Sequence, residues 1–221
     1  MNYSLKKSPS IAMSPVRALV IVNTVIYLAI FISASVIYAA STGDLGTAVL
    51  SILFPDRTGL LDYINNYLPL MMSGAEVFRG AVWEVITSLF IHANIIHLGF
   101  NMVALLYIGT ACENYLSSRK VLAVYFSGGV AGNLLTLALM PPNIYSLGAS
   151  GAIFSLLGVL AVTEYRRTHQ FLSSLGWAVI ILIISSLGVA GAVNNLAHIG
   201  GLATGLIIGA ILPKHKIHHS A

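Results

Sequence analysis

The stretch of residues 121–163, VLAVYFSGGVAGNLLTLALMPPNIYSLGASGAIFSLLGVLAVT, contains no Asp, Glu, Lys or Arg. A helix needs about 20 apolar residues to cross a bilayer, so the stretch is long enough for two crossings. Pro141 and Pro142 interrupt it, because proline ends a helix and restricts the residue before it. The stretch predicts two membrane-spanning helices: span three at about Val121–Met140 and span four at about Ser150–Thr163.

The composition of the whole chain agrees with a membrane protein. Of its 221 residues, 57% are hydrophobic and 8% are charged, whereas a soluble domain carries about 25% charged residues. A soluble fold cannot cover its surface with so little charge, and the length indicates one domain. The net charge of +4 does not indicate nucleic-acid binding, because the basic residues lie in pairs between apolar stretches.

Other uncharged stretches supply the remaining spans. Residues 18–43 predict span one at Leu19–Ala39, and residues 85–112 contain span two. Residues 168–213 form another uncharged stretch that is long enough for two spans, and glycines at 188 and 191 interrupt it. They predict span five at about 172–187 and span six at about 195–212. The fold class is therefore all-α, a polytopic membrane protein with six transmembrane helices.

The basic residues predict the orientation of these spans. With six spans, nine of the eleven Lys and Arg residues fall on one side, and only Arg57 and Arg79 fall on the other. Cytoplasmic loops carry the excess of basic residues, so both termini should be cytoplasmic in a multi-pass cell-membrane protein. We expect a cytoplasmic segment 1–16, a membrane core 17–213 with an interfacial first loop at about 41–83, and a cytoplasmic tail 214–221.

Polar side chains inside spanning helices are costly, so each one invites a functional hypothesis. His97 and Asn101 on span two are four residues apart and share a helix face. The same span carries His92, and span six carries His198. Span four opens with the sequence Gly148-Ala149-Ser150-Gly151.

Ser150 has two interpretations. A lone serine after a proline-containing loop is commonly a helix N-cap. The flanking Gly148 and Gly151, however, let the backbone turn tightly and let a substrate approach. The start of a helix also offers unpaired N–H groups and a positive dipole end that stabilise a developing oxyanion. These features favour a nucleophilic serine.

A single buried histidine such as His198 is more often structural than catalytic. One face of its helix, however, carries almost only small residues. Small residues recur every four positions, which lets two helix backbones approach closely. If this face meets span four, Ser150 and His198 lie near each other and form an activated nucleophile. No acidic residue lies in the outer half of a span, so a Ser–His dyad fits better than a triad. Phe154, one turn below Ser150, either packs against the imidazole or belongs to the plain core. The small residues are Gly201, Gly205 and Gly209 on span six and Gly151, Ser155 and Gly158 on span four.

Together these motifs resemble the rhomboid family of intramembrane serine proteases, over roughly residues 16–212. The resemblance implies that Ser150 is the nucleophile and His198 the general base and acid. It further implies that His97 and Asn101 stabilise the oxyanion together with the Ser150 N–H, and that His92 is structural. It implies no cofactor and no metal, and its substrates are transmembrane segments cut near the outer face. The matching motifs are His92-x4-His97-x3-Asn101, Gly148-Ala149-Ser150-Gly151 and Ala197-His198-x2-Gly201-x3-Gly205.

The chain also departs from the family pattern at three positions. Glu84 follows Trp83 where many members have arginine, Ser117 replaces a usual glycine, and Phe154 replaces a frequent tyrosine. None of these is a dyad residue. Glu113 resembles a family glutamate that ties helix ends together.

Two alternatives stay open at this point. The histidines with Glu113 suit a proton relay in a transporter, although Glu113 should lie at the opposite membrane face and no second half repeats the first. A catalytically dead relative that binds membrane segments is the other alternative. The sequence leaves the substrate, the regulation and the oligomeric state open.

Overall fold

The computed structural model describes residues 13–44, 68–168 and 194–213, together with the isolated positions 46, 49 and 64. The predicted span five and the C-terminal tail lie outside the described residues, as does most of the N-terminal segment. The described part is mostly helical and contains one two-stranded antiparallel sheet.

The first helix, α1, runs Pro15–Thr42 and contains the predicted span one. Its start follows from local chemistry: the Ser14 hydroxyl accepts from the Arg17 N–H at 3.2 Å, and Pro15 has the φ that a first helical residue needs. At its end, Gly43 adopts φ 75° and donates its N–H to Ala39, a left-handed cap that favours glycine. Large apolar side chains such as Ile32, 60% exposed, cover its outer face.

The first loop extends beyond its expected end at about residue 83, up to the long helix that begins at Ile95. It folds back on the connection before span four. Strand β1 (Met72–Ser73) pairs antiparallel with β2 (Tyr145–Ser146), with Met72 opposite Ser146. After β1 come the short helices α2 (Gly74–Phe78) and α3 (Glu84–Thr87) and a 3-10 turn over Ser88–Phe90. The described part of the loop thus contains short helices and is held by a two-stranded sheet.

Helix α4 fills only the second part of the uncharged stretch 85–112. It begins after Asn94, whose side chain caps the helix by accepting from the His97 N–H. The helix runs Ile95–Ala104, continues through a π-helical turn at Leu105–Gly109 and ends at Thr110–Glu113. His92 therefore lies in the loop before α4, and its assignment to a spanning helix was wrong because the residues before Asn94 form short turns.

Three further helices complete the described fold. They are α5 (Ser118–Leu139), α6 (Ser150–Thr168) and α7 (Asn195–Ile211), which correspond to the predicted spans three, four and six. Pro141 follows α5 closely, as its role as a helix stop predicts. At the other end of the bundle, the Glu113 carboxylate accepts from the Val16 N–H at 3.1 Å, so it joins the ends of α4 and α1.

Helices α6 and α7 meet through their small residues, as the spacing predicts. A Cβ placed on Gly201 would overlap the Gly151 carbonyl oxygen, and one on Gly205 would overlap the Ser155 carbonyl oxygen. A Cβ on Gly158 would lie 2.7 Å from the Leu202 carbonyl oxygen. The two backbones are therefore in direct contact, which only glycine permits at these positions.

Three of the described helices are long and apolar enough to cross a membrane: Pro15–Ser41, Ile95–Glu113 and Ser118–Leu139. Helix α7 is a shorter apolar helix. The count of six spans and the cytoplasmic location of both termini stay predictions.

Replacing Gly201 with leucine should separate α7 from α6. The new side chain has no space above the Gly151 carbonyl, so the helices must move apart. We expect Gly201→Leu to lower the midpoint of thermal unfolding in detergent by several degrees. Ala203→Leu is the matched control, because Ala203 is exposed on the same helix. Equal midpoints for Gly201→Leu and the wild type would show that this face does not hold the two helices together.

Glu84 predicts a pH dependence of stability. Its side chain is 1% exposed, lies outside the spanning helices and accepts from the Ser73 N–H at 3.2 Å. Burial raises the pKa of this carboxyl above 4.5, the nearby Glu76 charge raises it further, and the Ser73 hydrogen bond opposes them. Between 4.5 and the raised pKa, the folded protein binds more protons than the unfolded chain. The free energy of unfolding therefore falls as the pH rises through that window.

Glu84→Gln removes this titration and keeps an oxygen to accept from Ser73. We expect its thermal midpoint to exceed that of the wild type at pH 7.5 and to match it near pH 4, measured by differential scanning fluorimetry. Glu76→Gln is the graded comparison: the Glu76 side chain is 44% exposed, and its charge is the smallest contribution to the raised Glu84 pKa. We expect it to reduce the pH dependence of the midpoint only in part. The difference in midpoint between Glu84→Gln and the wild type should be larger at pH 7.5 than at pH 4. The opposite order would contradict the raised pKa of Glu84.

Candidate active site

Ser150 is the first residue of α6 and is 9% exposed. The turn that leads to it requires Gly148, whose φ of +107° is rarely adopted by residues with a side chain. The Gly148 N–H donates to the Ser88 carbonyl at 2.9 Å, so the turn is fixed to the 3-10 segment of the first loop. The serine hydroxyl therefore sits at a helix N-terminus on a well-anchored turn.

His198 lies on the first turns of α7 and faces Ser150. Its Nε2 atom and the Ser150 Oγ atom are joined by a hydrogen bond of 2.8 Å. The Phe154 ring stacks on the imidazole, with centroids 4.5 Å apart and planes inclined by 20°. Because Nε2 can accept the hydroxyl proton while the ring is held on one face, the arrangement is that of a serine with an adjacent base.

His97 lies close to the turn that precedes Ser150. Its Nδ1 atom accepts from the Ala93 N–H at 3.4 Å, which leaves the hydrogen of the neutral ring on Nε2. A Cβ on Gly148 would lie 2.9 Å from this Nε2 and 3.9 Å from the Ser150 Oγ. The His97 Nε2–H is therefore a hydrogen-bond donor near the serine. His92 packs edge-on against the same ring, with centroids 5.1 Å apart.

Asn101 is buried one turn along α4 from His97. Among the described residues, its amide donates to the His97 carbonyl at 2.9 Å and not to Ser150. Its Oδ1 atom is buried and finds no partner in that same part of the chain. The structure thus brings Ser150, His198, Phe154 and His97 together, and it shows Asn101 bonded to the backbone of His97.

The described residues contain no group of three or more His, Cys, Asp or Glu side chains suited to a metal ion. The two glutamates that the sequence singled out are used elsewhere: Glu113 accepts from Val16 and Glu84 accepts from Ser73. Neither is bonded to a histidine of the site.

Asn133, which the sequence analysis did not single out, supports the segments that lead to the turn before Ser150. Asn133 on α5 donates to the Val85 carbonyl and to the Ser88 hydroxyl, and it accepts from the Ser146 hydroxyl. Asn133 could have been identified as Asn101 was, because it is an amide side chain inside an uncharged span. Asn194 caps α7 by accepting from the Ala197 N–H at 3.2 Å.

Comparison with known proteins places this site in a family. A family model of the rhomboid domain matches residues 79–215. The chain belongs to the rhomboid family. The matched region includes every candidate site residue, and membership together with the apolar helices makes the chain an integral membrane protein.

Three relatives illustrate the similarity. The chain is 37% identical over 159 residues to rhomboid protease GluP of Bacillus subtilis, covering 69% of this chain and 31% of that protein. It is 30% identical over 169 residues to rhomboid-like protease 1 of Toxoplasma gondii, covering 73% and 56%. It is 33% identical over 147 residues to RHOMBOID-like protein 7 of Arabidopsis thaliana, covering 64% and 46%. The matches thus span between about a third and somewhat over half of these relatives.

Proposed function

We propose that this rhomboid is a serine endopeptidase that cuts transmembrane segments of other membrane proteins. The observation that carries the proposal is the 2.8 Å hydrogen bond between Ser150 Oγ and His198 Nε2 at the start of α6. Two of the relatives are themselves called proteases. Membership of this family favours the protease hypothesis over the transporter hypothesis.

The proposed reaction forms and breaks an acyl-enzyme. Ser150 Oγ attacks the scissile carbonyl carbon while its proton passes to His198 Nε2. The tetrahedral intermediate collapses, the C–N bond breaks, and the imidazolium gives its proton to the leaving amine. A water molecule then attacks the ester with His198 again as the base, and the serine leaves with the proton.

Three donors are proposed for the oxyanion: the Ser150 N–H, the His97 Nε2–H and the Asn101 amide. The first belongs to the free N–H groups at the start of a helix. Asn101 reaches the substrate by turning from the His97 carbonyl, which it now contacts at 2.9 Å. Phe154 holds the imidazole plane by stacking, in place of a carboxylate.

Substrate access is proposed from the outer side of the membrane. The connection between α5 and α6 is held to the first loop by the strand pair Met72–Ser146 and by the Ala75 N–H, which donates to the Pro142 carbonyl at 2.9 Å. We therefore assign it as a fixed wall. From the sequence we also propose that the glycine-rich turn at 188–193 moves as a lid over the site, together with the outer end of span five. Both segments lie outside the described residues.

The proposed substrates have Gly, Pro or small residues near the outer face. A helical segment hides its carbonyls in hydrogen bonds, so it has to unwind before it reaches Ser150, and these residues weaken a helix. We expect the reconstituted protein to cut a single-span test substrate near the outer boundary, as mapped by mass spectrometry. Ser150→Ala and His198→Ala should each reduce cleavage to background, and EDTA should leave it unchanged.

The matched control is the same substrate with its Gly and Pro residues replaced by leucine, which we expect to be cut more slowly. A cut at the cytoplasmic boundary, or equal cleavage of the leucine control, would contradict the proposed access route. No cleavage by the wild type would favour a binding protein without protease activity. Activity that is lost on chelation and restored by zinc would contradict the serine mechanism.

A further inference from the structure

The outer part of α5 contacts the surroundings of both members of the Ser150–His198 pair. Asn133 and Thr136 are three residues apart, so they share a helix face, and they are 3% and 2% exposed. We propose that these two residues are positioning residues that set the distance between Ser150 Oγ and His198 Nε2. The proposal deepens the proposed function and rests on it for the effect on catalysis.

Asn133 joins two separate segments of the chain. Its amide nitrogen donates to the Val85 carbonyl at 2.8 Å and to the Ser88 hydroxyl at 2.9 Å. Its amide oxygen accepts from the Ser146 hydroxyl at 2.9 Å. Among side chains, only the amides of Asn and Gln offer two donors and an acceptor in one plane. Asn133 therefore links the 3-10 region of the first loop and strand β2 to the same position on α5.

Both segments that Asn133 holds lead directly to the serine. The Ser88 carbonyl accepts from the Gly148 N–H at 2.9 Å, and Gly148 is two residues before Ser150. Ser146 is paired with Met72 in the small sheet, so it cannot move independently of the first loop. A displacement of Ser88 or Ser146 therefore displaces the turn that ends at Ser150.

Thr136 makes the corresponding connection to the histidine. Its hydroxyl accepts from the Asn194 side-chain nitrogen at 2.7 Å, and Asn194 caps the first turn of α7. His198 lies four residues beyond this cap. The neighbouring Gly132 packs directly against the Ala197 backbone, where a Cβ would overlap the carbonyl oxygen. Helix α5 is thus the common support for the start of α6 and the start of α7.

The chemistry predicts different consequences for different substitutions. Asn133→Asp keeps the shape but removes both N–H donors, so the buried Val85 carbonyl loses its partner and faces a carboxylate oxygen. The Ser88 hydroxyl loses the N–H from which it accepts and has to turn to donate instead. Thr136→Val keeps the shape and removes the acceptor for Asn194. Thr136→Ser retains that hydroxyl. Ser127→Ala is the matched control on the same helix: within the described part of the chain, the Ser127 hydroxyl donates to the Val124 carbonyl of its own helix at 3.2 Å and to no other group.

The test measures turnover, KM and amide exchange on the full-length protein in detergent, below the unfolding temperature of every variant. A misplacement of about 1 Å in catalytic geometry costs about 100-fold in rate. We expect the kcat for a single-span test substrate to fall about 100-fold in Asn133→Asp and about 10-fold in Thr136→Val. KM should stay within about twofold, because the substrate-binding surface is unchanged. Thr136→Ser should restore most of the turnover, and Ser127→Ala should match the wild type.

Hydrogen exchange monitored by mass spectrometry tests the positioning directly. The Gly148 amide should exchange about 10-fold faster or more in Asn133→Asp, and the first turn of α7 should do so in Thr136→Val. Unchanged exchange in both variants would overturn the proposal, whether or not the wild type cleaves substrate. Wild-type kcat in both variants, or a Thr136→Ser variant as impaired as Thr136→Val, would also overturn it. An inactive wild type with faster exchange in the variants would instead reject the proposed function and keep the positioning role.

Discussion

The direct backbone contact between α6 and α7 is the constraint on which the rest of the site depends. Gly201 lies on the Gly151 carbonyl and Gly205 on the Ser155 carbonyl, with no room for a side chain between them. This contact brings the two helix axes close enough for Ser150 and His198 to form a hydrogen bond of 2.8 Å. We expect any larger residue in these positions to separate Ser150 from His198.

A second set of contacts fixes the position of the turn that precedes Ser150. The first loop reaches the connection before α6 through the strand pair and through the Gly148 N–H bond to Ser88. Buried hydrogen bonds are strong supports inside a low-dielectric bundle, because breaking one leaves a polar group without water. Within the first loop, Glu84 holds strand β1 by accepting from the Ser73 N–H.

Most of the helices could be predicted from the sequence, because uncharged stretches of membrane-spanning length are a strong signal. The small-residue spacing also predicted which faces of α6 and α7 meet. The late start of α4 after Asn94 could not be predicted in the same way, because the turns before it are as apolar as a span. The contacts of Asn133 join residues about 13 to 48 positions apart, and no local pattern encodes such a network. Asn101 was singled out by its spacing, yet its hydrogen bond to the His97 carbonyl depends on a side-chain rotation that spacing does not specify.

The proposed function requires that Ser150 is a nucleophile activated by His198. The most direct measurement is labelling of the purified protein with a fluorophosphonate, followed by mass spectrometry of its peptides. We expect one adduct, on Ser150, with labelling that is lost in Ser150→Ala and strongly slowed in His198→Ala. Absence of any adduct on the folded wild-type protein, or an adduct on Ser150 that forms equally fast in His198→Ala, would contradict it.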